Sequence, residues 1–413
     1  MSKTRLNWLV GMLSMLVAHT ALAEETIKVA LNIPLSGPFA NIGELYVNSA
    51  QFAIDDINAR GGVMGRKFEI VAFDNKNSPQ DALLMLKRIT DQQIPFMIQS
   101  GGSHVAVPLA EATARHNERN PDNRLLFLDE PGDQDLTNEK CNFWTFSFMA
   151  NAEVKMEALT NHLARKKDVK RVYLINQDYL GGQQIRKDAL KMLARKRPDI
   201  TIVGDDLHPL GKVKDFAPYV AKISASKADT IITGNWGADM TLLVKAAADS
   251  GLSAKFYTYY GLGPGAPTVM GKSAIDRMIG IWRWHWNLPF ESERKAADRY
   301  KRRFNLEYYA MPINNIFNMI KIAVERAKST DALKVAYALE DMRIKTNMGE
   351  AWMRPEDHQL FEPLYILSMV EADGVNVKYD VENTGVGTKT DERIEVTDQM
   401  LPTQCKMARP PKP

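Results

Sequence analysis

The chain has 413 residues, of which 45% are hydrophobic and 25% charged, with 25 Gly and 20 Pro. These proportions are typical of a globular protein and exclude a disordered or fibrous chain. The length exceeds what one hydrophobic core usually serves, so we expect two lobes or domains. The 53 basic and 50 acidic residues leave a formal charge of only +3. Binding to nucleic acid is therefore not expected, because it requires concentrated positive charge to displace phosphate counterions.

The first 23 residues have the pattern of a cleavable signal peptide. Lys3 and Arg5 supply a positive start, and residues 9–18 are almost wholly apolar. That run is too short to cross a bilayer core of roughly 30 Å, which argues against a retained membrane anchor. The segment Ala21-Leu-Ala23 then forms an A-x-A cleavage site. We expect cleavage after Ala23 and export to the periplasm, with a mature charge of 51 minus 50, or +1.

Strand and helix patterns alternate through the first 150 residues. The apolar run Ile27–Ile33 ends at Pro34, as a buried strand does. In the next segment, Ala50, Ala53 and Ile57 share one face of an amphipathic helix. The pair Gly61-Gly62 ends this helix. The patterns that follow predict strands over 68–73, 96–98 and 125–128 and helices over 80–91 and 107–116.

The alternation restarts after residue 150. Patterns predict one helix that runs from a Gly181-Gly182 turn to about 197 and another that begins after Asp239. They predict two further helices over 153–166 and 314–328. The predicted strands are 172–175, 200–203, 230–233, 279–286 and 364–370. Repeated strand–helix units imply parallel strands, because each crossover helix returns the chain in the same direction. The sequence therefore predicts an α/β fold with two doubly wound parallel-sheet lobes.

The sequence lacks the motifs of a catalytic site. Six histidines lie outside the predicted signal peptide, and they are scattered, with none at a metal-ligand spacing. Neither a G-x-S-x-G nucleophile motif nor a phosphate-binding loop is present. We predict a binding protein rather than an enzyme, with no cofactor and no metal.

The expected place for a binding site is the set of loops beyond the carboxyl ends of the strands. Ser103 precedes a predicted helix, where its hydroxyl and nearby amides either hold a carboxylate or form an ordinary N-cap. Large rings at Tyr179, Trp236 and the pair Tyr259-Tyr260 lie in loops of the second lobe. For any single ring a core position is the better interpretation, but several rings at corresponding loops favour a site.

Two further patterns concern packing. Trp282, Trp284 and Trp286 alternate, so on the predicted strand they share one face, where we expect them to pack between the lobes. Cys141 and Cys405 both follow the signal peptide, and two thiols in an oxidising compartment often pair. Such a bridge would hold the Pro-rich tail near the body; the alternative is two unrelated thiols.

Two N-terminal motifs resemble a known family. The strand end Pro34-Leu-Ser-Gly-Pro38 and the helix end from Asp55 to Arg66 are similar to the type I periplasmic solute-binding proteins of the leucine/isoleucine/valine-binding group. The resemblance implies two lobes joined by three hinge crossings, which close on a ligand. It places residues 24–147 and about 283–352 in the N-terminal lobe, and 148–282 and about 353–413 in the C-terminal lobe.

The ligand contacts carried over from the resemblance are partly matched. Ser103 matches the serine that holds the ligand carboxylate, and Tyr179 and Trp236 match aromatic contacts of the second lobe. In the family an acidic residue pairs with the ligand's ammonium, and the corresponding position in this chain is at or near Tyr260. A threonine of the family is replaced in the loop that contains Glu130, which either binds a cationic group or stabilises the loop away from the ligand.

The resemblance implies a periplasmic substrate-binding component of an ABC importer. Its ligand is expected to be a small amino acid or a related organic solute, with an aromatic acid or amide as the variant. The implied partner is an inner-membrane ABC permease, and a monomer is expected. The alternative function is the ligand-binding sensor subunit of a membrane signalling system, and a periplasmic enzyme ranks third.

Overall fold

The computed structural model describes residues 26–346 and 348–413. The predicted signal segment, with its cleavage site after Ala23, lies outside the described residues. Over the two described ranges, no helix has the length and apolar character needed to cross a membrane.

The first lobe is built on a parallel sheet of five strands in the order β2-β1-β3-β4-β5. Strands β1, β3 and β4 are almost completely buried, which explains their continuous apolar sequences, since helices cover both faces of the sheet. The elements in chain order are β1 (Ile27–Ile33), α1 (Ala40–Ala59), β2 (Phe68–Asp74), α2 (Pro79–Asp91), β3 (Phe96–Gln99), α3 (Ser103–Arg119), β4 (Leu126–Asp129) and β5 (Thr145–Ser147).

The second lobe repeats the same strand–helix alternation, and its central strands are also parallel. Its elements are α4 (Ala152–Ala164), β6 (Arg171–Asp178), α5 (Leu180–Lys196), β7 (Thr201–Pro209), α6 (Ala217–Ala225), β8 (Thr230–Thr233), α7 (Gly237–Asp249), β9 (Lys255–Thr258), α8 (Ala266–Met270) and β10 (Met278–Trp282).

The chain then returns to the first lobe. Buried residues of two helices, from Ile313 to Leu339, share one hydrophobic core with β1, β3 and β4. A small antiparallel sheet follows them. The elements of this segment are α9 (Glu291–Phe304), α10 (Ile313–Ala327), α11 (Ala332–Leu339), β11 (Arg343–Thr346), β12 (Gly349–Met353) and β13 (Leu360–Phe361).

Two antiparallel strands, β14 (Leu364–Glu371) and β15 (Val386–Ile394), complete the second sheet, whose order is β15-β14-β10-β9-β8-β6-β7. The chain thus passes between the lobes three times, after β5, after β10 and before β14. The predicted fold of two α/β lobes joined by three crossings is confirmed, with an antiparallel edge added to the second sheet.

Two local predictions were wrong. The strand ends at Trp282, so Trp284 and Trp286 lie in the second crossing rather than on a shared strand face. The pair Gly181-Gly182 lies inside α5 and not in a turn. A Cβ at Gly182 would come 1.9 Å from the Gln177 carbonyl oxygen, so close packing of the helix on β6 requires this glycine.

A disulfide joins Cys141 and Cys405, whose Cα atoms are 5.6 Å apart, within the usual range for a bridge. Beside it, the Thr403 hydroxyl donates to the Thr137 carbonyl at 2.7 Å. The Tyr337 hydroxyl donates to the Pro410 carbonyl. The tail from 403 to 410 therefore contacts first-lobe elements, whereas the sequence groups it with the second lobe. The lobe boundaries themselves stay a prediction.

Candidate functional site

A cleft between the lobes encloses about 1420 Å³ of space, counting the part that opens to solvent. Its walls are formed where strands of both sheets end and helices begin. The structure brings all five residues predicted as ligand contacts to this cleft: Ser103, Glu130, Tyr179, Trp236 and Tyr260. Their contact with a ligand stays a prediction.

Ser103 is the first residue of α3, and Gly102 is the N-cap of that helix. The side chain is 7% exposed, and its Oγ has no hydrogen-bond partner among the described residues. The N-cap alternative is therefore not what the structure shows. A helix start leaves backbone N–H groups unpaired, so Ser103 adds a hydroxyl to a position that suits a carboxylate.

Tyr179 and Trp236 occupy equivalent positions, as the N-caps of α5 and α7. The Trp236 indole Nε1 donates to the Tyr179 hydroxyl at 3.2 Å. Burial raises the pKa of Tyr179, so its hydroxyl stays neutral. These two residues form a polar and aromatic wall on the second lobe.

Contacts between the lobes close the mouth of the cleft. The Trp236 ring stacks on Phe39 of the first lobe with 4.2 Å between centroids. His104 meets the edge of Tyr179 at 5.6 Å, and the Gln184 Nε2 donates to Asp135 Oδ1 at 2.6 Å. We call these three pairs the mouth contacts. Sequence reasoning missed Phe39, although it follows the Ser-Gly-Pro loop directly.

Tyr260 follows β9 and helps to enclose a buried lysine. The Lys155 Nζ lies 5.2 Å from the ring centroid of Tyr260, 5.6 Å from that of Tyr259 and 5.8 Å from that of Trp282. Burial, with the nearby Arg283 charge, lowers the pKa of Lys155 to about 7. Nothing in the sequence distinguishes Lys155 from the other charged residues of its predicted helix.

Glu130 lines the cleft, but its carboxylate already has partners. It is 1% exposed, accepts a hydrogen bond from the Tyr46 hydroxyl and forms an ion pair with Arg283. Of the two roles left open by the sequence, this geometry favours stabilisation of the loop over a free charge for a ligand.

Arg283 connects all three crossings. Its Nη1 donates to the Phe148 carbonyl at 2.6 Å, in the first crossing, and to Glu362 Oε1 at 2.9 Å, in the third. Arg283 itself lies in the second crossing and is 2% exposed. We call Arg283, Glu130 and Glu362 the hinge cluster. Sequence reasoning missed it, because its members come from distant segments.

A second acid of the same loop, Asp133, also lines the cleft and was missed. Its Oδ1 accepts from the Asp135 backbone N–H at 3.1 Å, and its own N–H donates to Asp129 Oδ2 at 2.7 Å. Burial, together with the Asp129 and Asp135 charges, raises the pKa of Asp133 well above its usual value. Burial likewise raises the pKa of Asp129 to about 7.

The arrangement places two different walls on either side of one cleft. Hydrogen-bonding groups of the first lobe face rings of the second, and a cluster of paired charges lies at the hinge. Within residues 26–346 and 348–413, no group of three His, Cys, Asp or Glu side chains is placed to hold a metal ion. The geometry suits enclosure of a small molecule between two lobes.

The protein belongs to the periplasmic binding protein family, because the sequence model of that family matches residues 26–374. The resemblance predicted from the N-terminal motifs is thereby confirmed. The chain is 30% identical over 412 residues to Leu/Ile/Val-binding protein homolog 4 of Brucella abortus, with 94% of each chain covered.

Two further similarities agree with this family. One is to a leucine-, isoleucine-, valine-, threonine- and alanine-binding protein of Pseudomonas aeruginosa, at 22% identity over 344 residues, or 80% of this chain and 87% of that one. The other is to the crystal structure of a protein of the same description from Brucella ovis, in a closed conformation. It has 29% identity and a TM-score of 0.81, and covers 94% of this chain and 100% of that one.

Proposed function

We propose that this protein is the periplasmic substrate-binding component of an ABC importer and captures a small amino acid or a related organic solute in the cleft. The observation that carries the proposal is the buried, unpartnered Ser103 hydroxyl on one wall, opposite the rings of Tyr179 and Trp236 on the other. The names of the relatives from Brucella and Pseudomonas support an amino acid as the default ligand. The ring-lined wall supports an aromatic acid or amide as the variant.

Capture proceeds by hinge closure in this proposal. A ligand carboxylate binds to Ser103 and the start of α3, and the apolar body lies against the rings of the second lobe. The mouth contacts then form around the ligand, while the hinge cluster keeps its partners throughout. The closed form is presented to an inner-membrane ABC permease.

Several finer features belong to the same proposal. The signal segment is removed after Ala23, the mature chain works in the periplasm, and it is a monomer. The protein binds its ligand without changing it, in keeping with the solute-binding character of its family.

A thermal-shift screen of the mature chain from Glu24 tests the ligand class. The panel contains amino acids, aromatic acids, amides and polyamines, and calorimetry follows each hit. A ligand at about 100 times its Kd should stabilise the folded state by about 2.7 kcal/mol. The ligand recovered after prolonged incubation should be chemically intact, and a strain without the gene should lose uptake of that ligand. A panel without any shift would contradict the proposal.

The Ser103→Ala substitution tests the carboxylate contact. Loss of a hydrogen bond to a charged group should weaken a carboxylate ligand about tenfold or more, with little change in melting temperature. Ser253→Ala, at an exposed loop position outside the cleft, is the matched control. Equal dissociation constants for Ser103→Ala and the unchanged protein would remove Ser103 from the site.

A further inference from the structure

Two acidic side chains line the cleft in the described part of the chain, and they differ in their partners. Glu130 is paired with Arg283. Asp133 is 7% exposed and takes part in no ion pair among the described residues. Its carboxylate accepts instead from the neutral backbone N–H of Asp135. Burial of an ionisable group without a counter-charge is costly, so this carboxyl is poised to accept one.

The opposite wall of the cleft is formed by different side chains. None of the described second-lobe residues that line the cleft is acidic. The rings of Tyr259, Tyr260 and Trp282 lie there instead, with the Lys155 nitrogen 5.2–5.8 Å from their centroids. The second-lobe wall therefore offers rings but no carboxylate to a positively charged ligand group, and Asp133 is the acid of the cleft without a cationic partner.

Asp133 shares its corner of the cleft with Ser103 and Tyr179. A Cβ at Gly181 would lie 3.0 Å from Ser103 Oγ and 2.9 Å from the Tyr179 hydroxyl, so this glycine lets the second lobe approach Ser103 closely. The Asp133 charge contributes to the raised pKa of Tyr179, and the Ser103 hydroxyl partly offsets the raised pKa of Asp133. Ser103 Oγ is buried beside Asp133 and makes no hydrogen bond of ordinary distance and angle to a described residue, so it is a second polar group left for a ligand.

We propose that Asp133 binds a hydrogen-bond-donating nitrogen of the ligand, an ammonium or an amide, and so selects nitrogen-bearing ligands over nitrogen-free carboxylic acids. The inference rests on the proposed function and narrows its ligand class. An α-amino acid carries an ammonium next to a carboxylate, which matches an acidic side chain beside a serine at a helix start. Asp133 is then a specificity-determining residue, and an aromatic acid without nitrogen lacks the group that it binds.

The experiment uses two sets of three compounds that share one apolar body. The first set is L-leucine, 4-methylpentanoate and 3-methylbutylamine, and the second is L-phenylalanine, 3-phenylpropanoate and 2-phenylethylamine. Calorimetry on the mature chain gives the dissociation constants. We expect at least one amino acid to bind and its nitrogen-free acid to bind at least about 100-fold more weakly.

The variants Asp133→Asn and Asp178→Asn separate the role of Asp133 from general charge effects. Asparagine keeps an oxygen for the Asp135 N–H, and a melting curve checks the fold. Asp133→Asn should weaken the amino acid about 10- to 100-fold. Asp178→Asn changes an exposed acid near the cleft, whose Oδ1 accepts from Gln183 at 2.8 Å, and should leave binding within twofold.

The outcomes distinguish this inference from the proposed function. A nitrogen-free acid that binds as tightly as its amino acid overturns the inference and leaves a transport role intact. A folded Asp133→Asn variant that binds the amino acid unchanged overturns it in the same way. If the variant does not fold, the comparison of the three compounds on the unchanged protein still decides. Failure of both sets and of the wider thermal-shift panel overturns the inference and the proposed function together.

Discussion

The hinge cluster and the mouth contacts both join the two lobes, but they are built from different interactions. At the hinge, Arg283 of the second crossing is buried and bonded to groups of the first and third crossings and to Glu130. At the mouth, the lobes meet through a ring stack, a ring edge and one side-chain hydrogen bond. Each mouth contact is worth only about 0.5–1.5 kcal/mol. We therefore expect the hinge contacts to persist in open and closed states, while a modest ligand affinity is enough to decide whether the mouth is closed.

The largest expected effect comes from breaking the hinge. Arg283→Met leaves Glu130 and Glu362 buried without a cation, which should lower the free energy of unfolding by about 3–5 kcal/mol. Urea denaturation measures it. Arg299→Met removes an exposed pair with Asp56 and should cost under about 1 kcal/mol. Similar losses for the two variants would contradict a special role for the hinge cluster.

The next effect concerns Lys155, which lies between the hinge cluster and the ring-lined wall. Its folded-state pKa of about 7 is below the ordinary 10.5, so between these values the unfolded chain binds the proton and the folded chain does not. The free energy of unfolding should therefore rise with pH above 7, by up to about 1.4 kcal/mol per pH unit.

Denaturation at pH 7, 8 and 9 of the unchanged protein and of Lys155→Met measures this slope. The variant should lack the contribution of Lys155, whereas Lys245→Met, at an exposed helix position, should keep it. Asp129 has a pKa of about 7, at the lower end of the pH range 7–9. The difference in slope between the two variants is therefore measured above pH 7. Parallel curves for all three proteins would show that Lys155 is charged in the fold.

The smallest effect is expected at the mouth. Phe39→Ala removes the stack on Trp236 and should weaken ligand binding about 2- to 10-fold, mainly through faster dissociation. Stopped-flow tryptophan fluorescence measures the rates. Val375→Ala, which changes an exposed apolar side chain, is the control. Unchanged dissociation together with a large loss of folding stability would place Phe39 in the lobe core instead of the mouth.

Sequence reasoning succeeded where a local pattern carries the information. The strand that ends at Ile33 and the helix face that contains Ala50 and Ile57 follow from spacing alone, because one face of each element is buried. The loops with Ser103 and Trp236 follow from the general position of ligands in parallel sheets. For this reason the five predicted residues reach one cleft.

It failed where a role depends on distant partners. Arg283 and Glu362 are 79 positions apart, and neither has a local pattern that predicts a buried pair. Lys155 looks like a solvated helix residue until the rings around it are known. Strands β5 and β13 are only three and two residues long, and their pairing is decided by neighbours in the sheet.

The disulfide gives the molecule an unusual covalent topology. Cys141 and Cys405 are 264 positions apart, and the ring that they close contains the whole second sheet. The last strand of that sheet is followed by a tail whose end is fastened to the first lobe. A fourth connection between the lobes therefore runs beside the three crossings. A single backbone cut anywhere between the two cysteines, even in a crossing, would leave both fragments covalently joined.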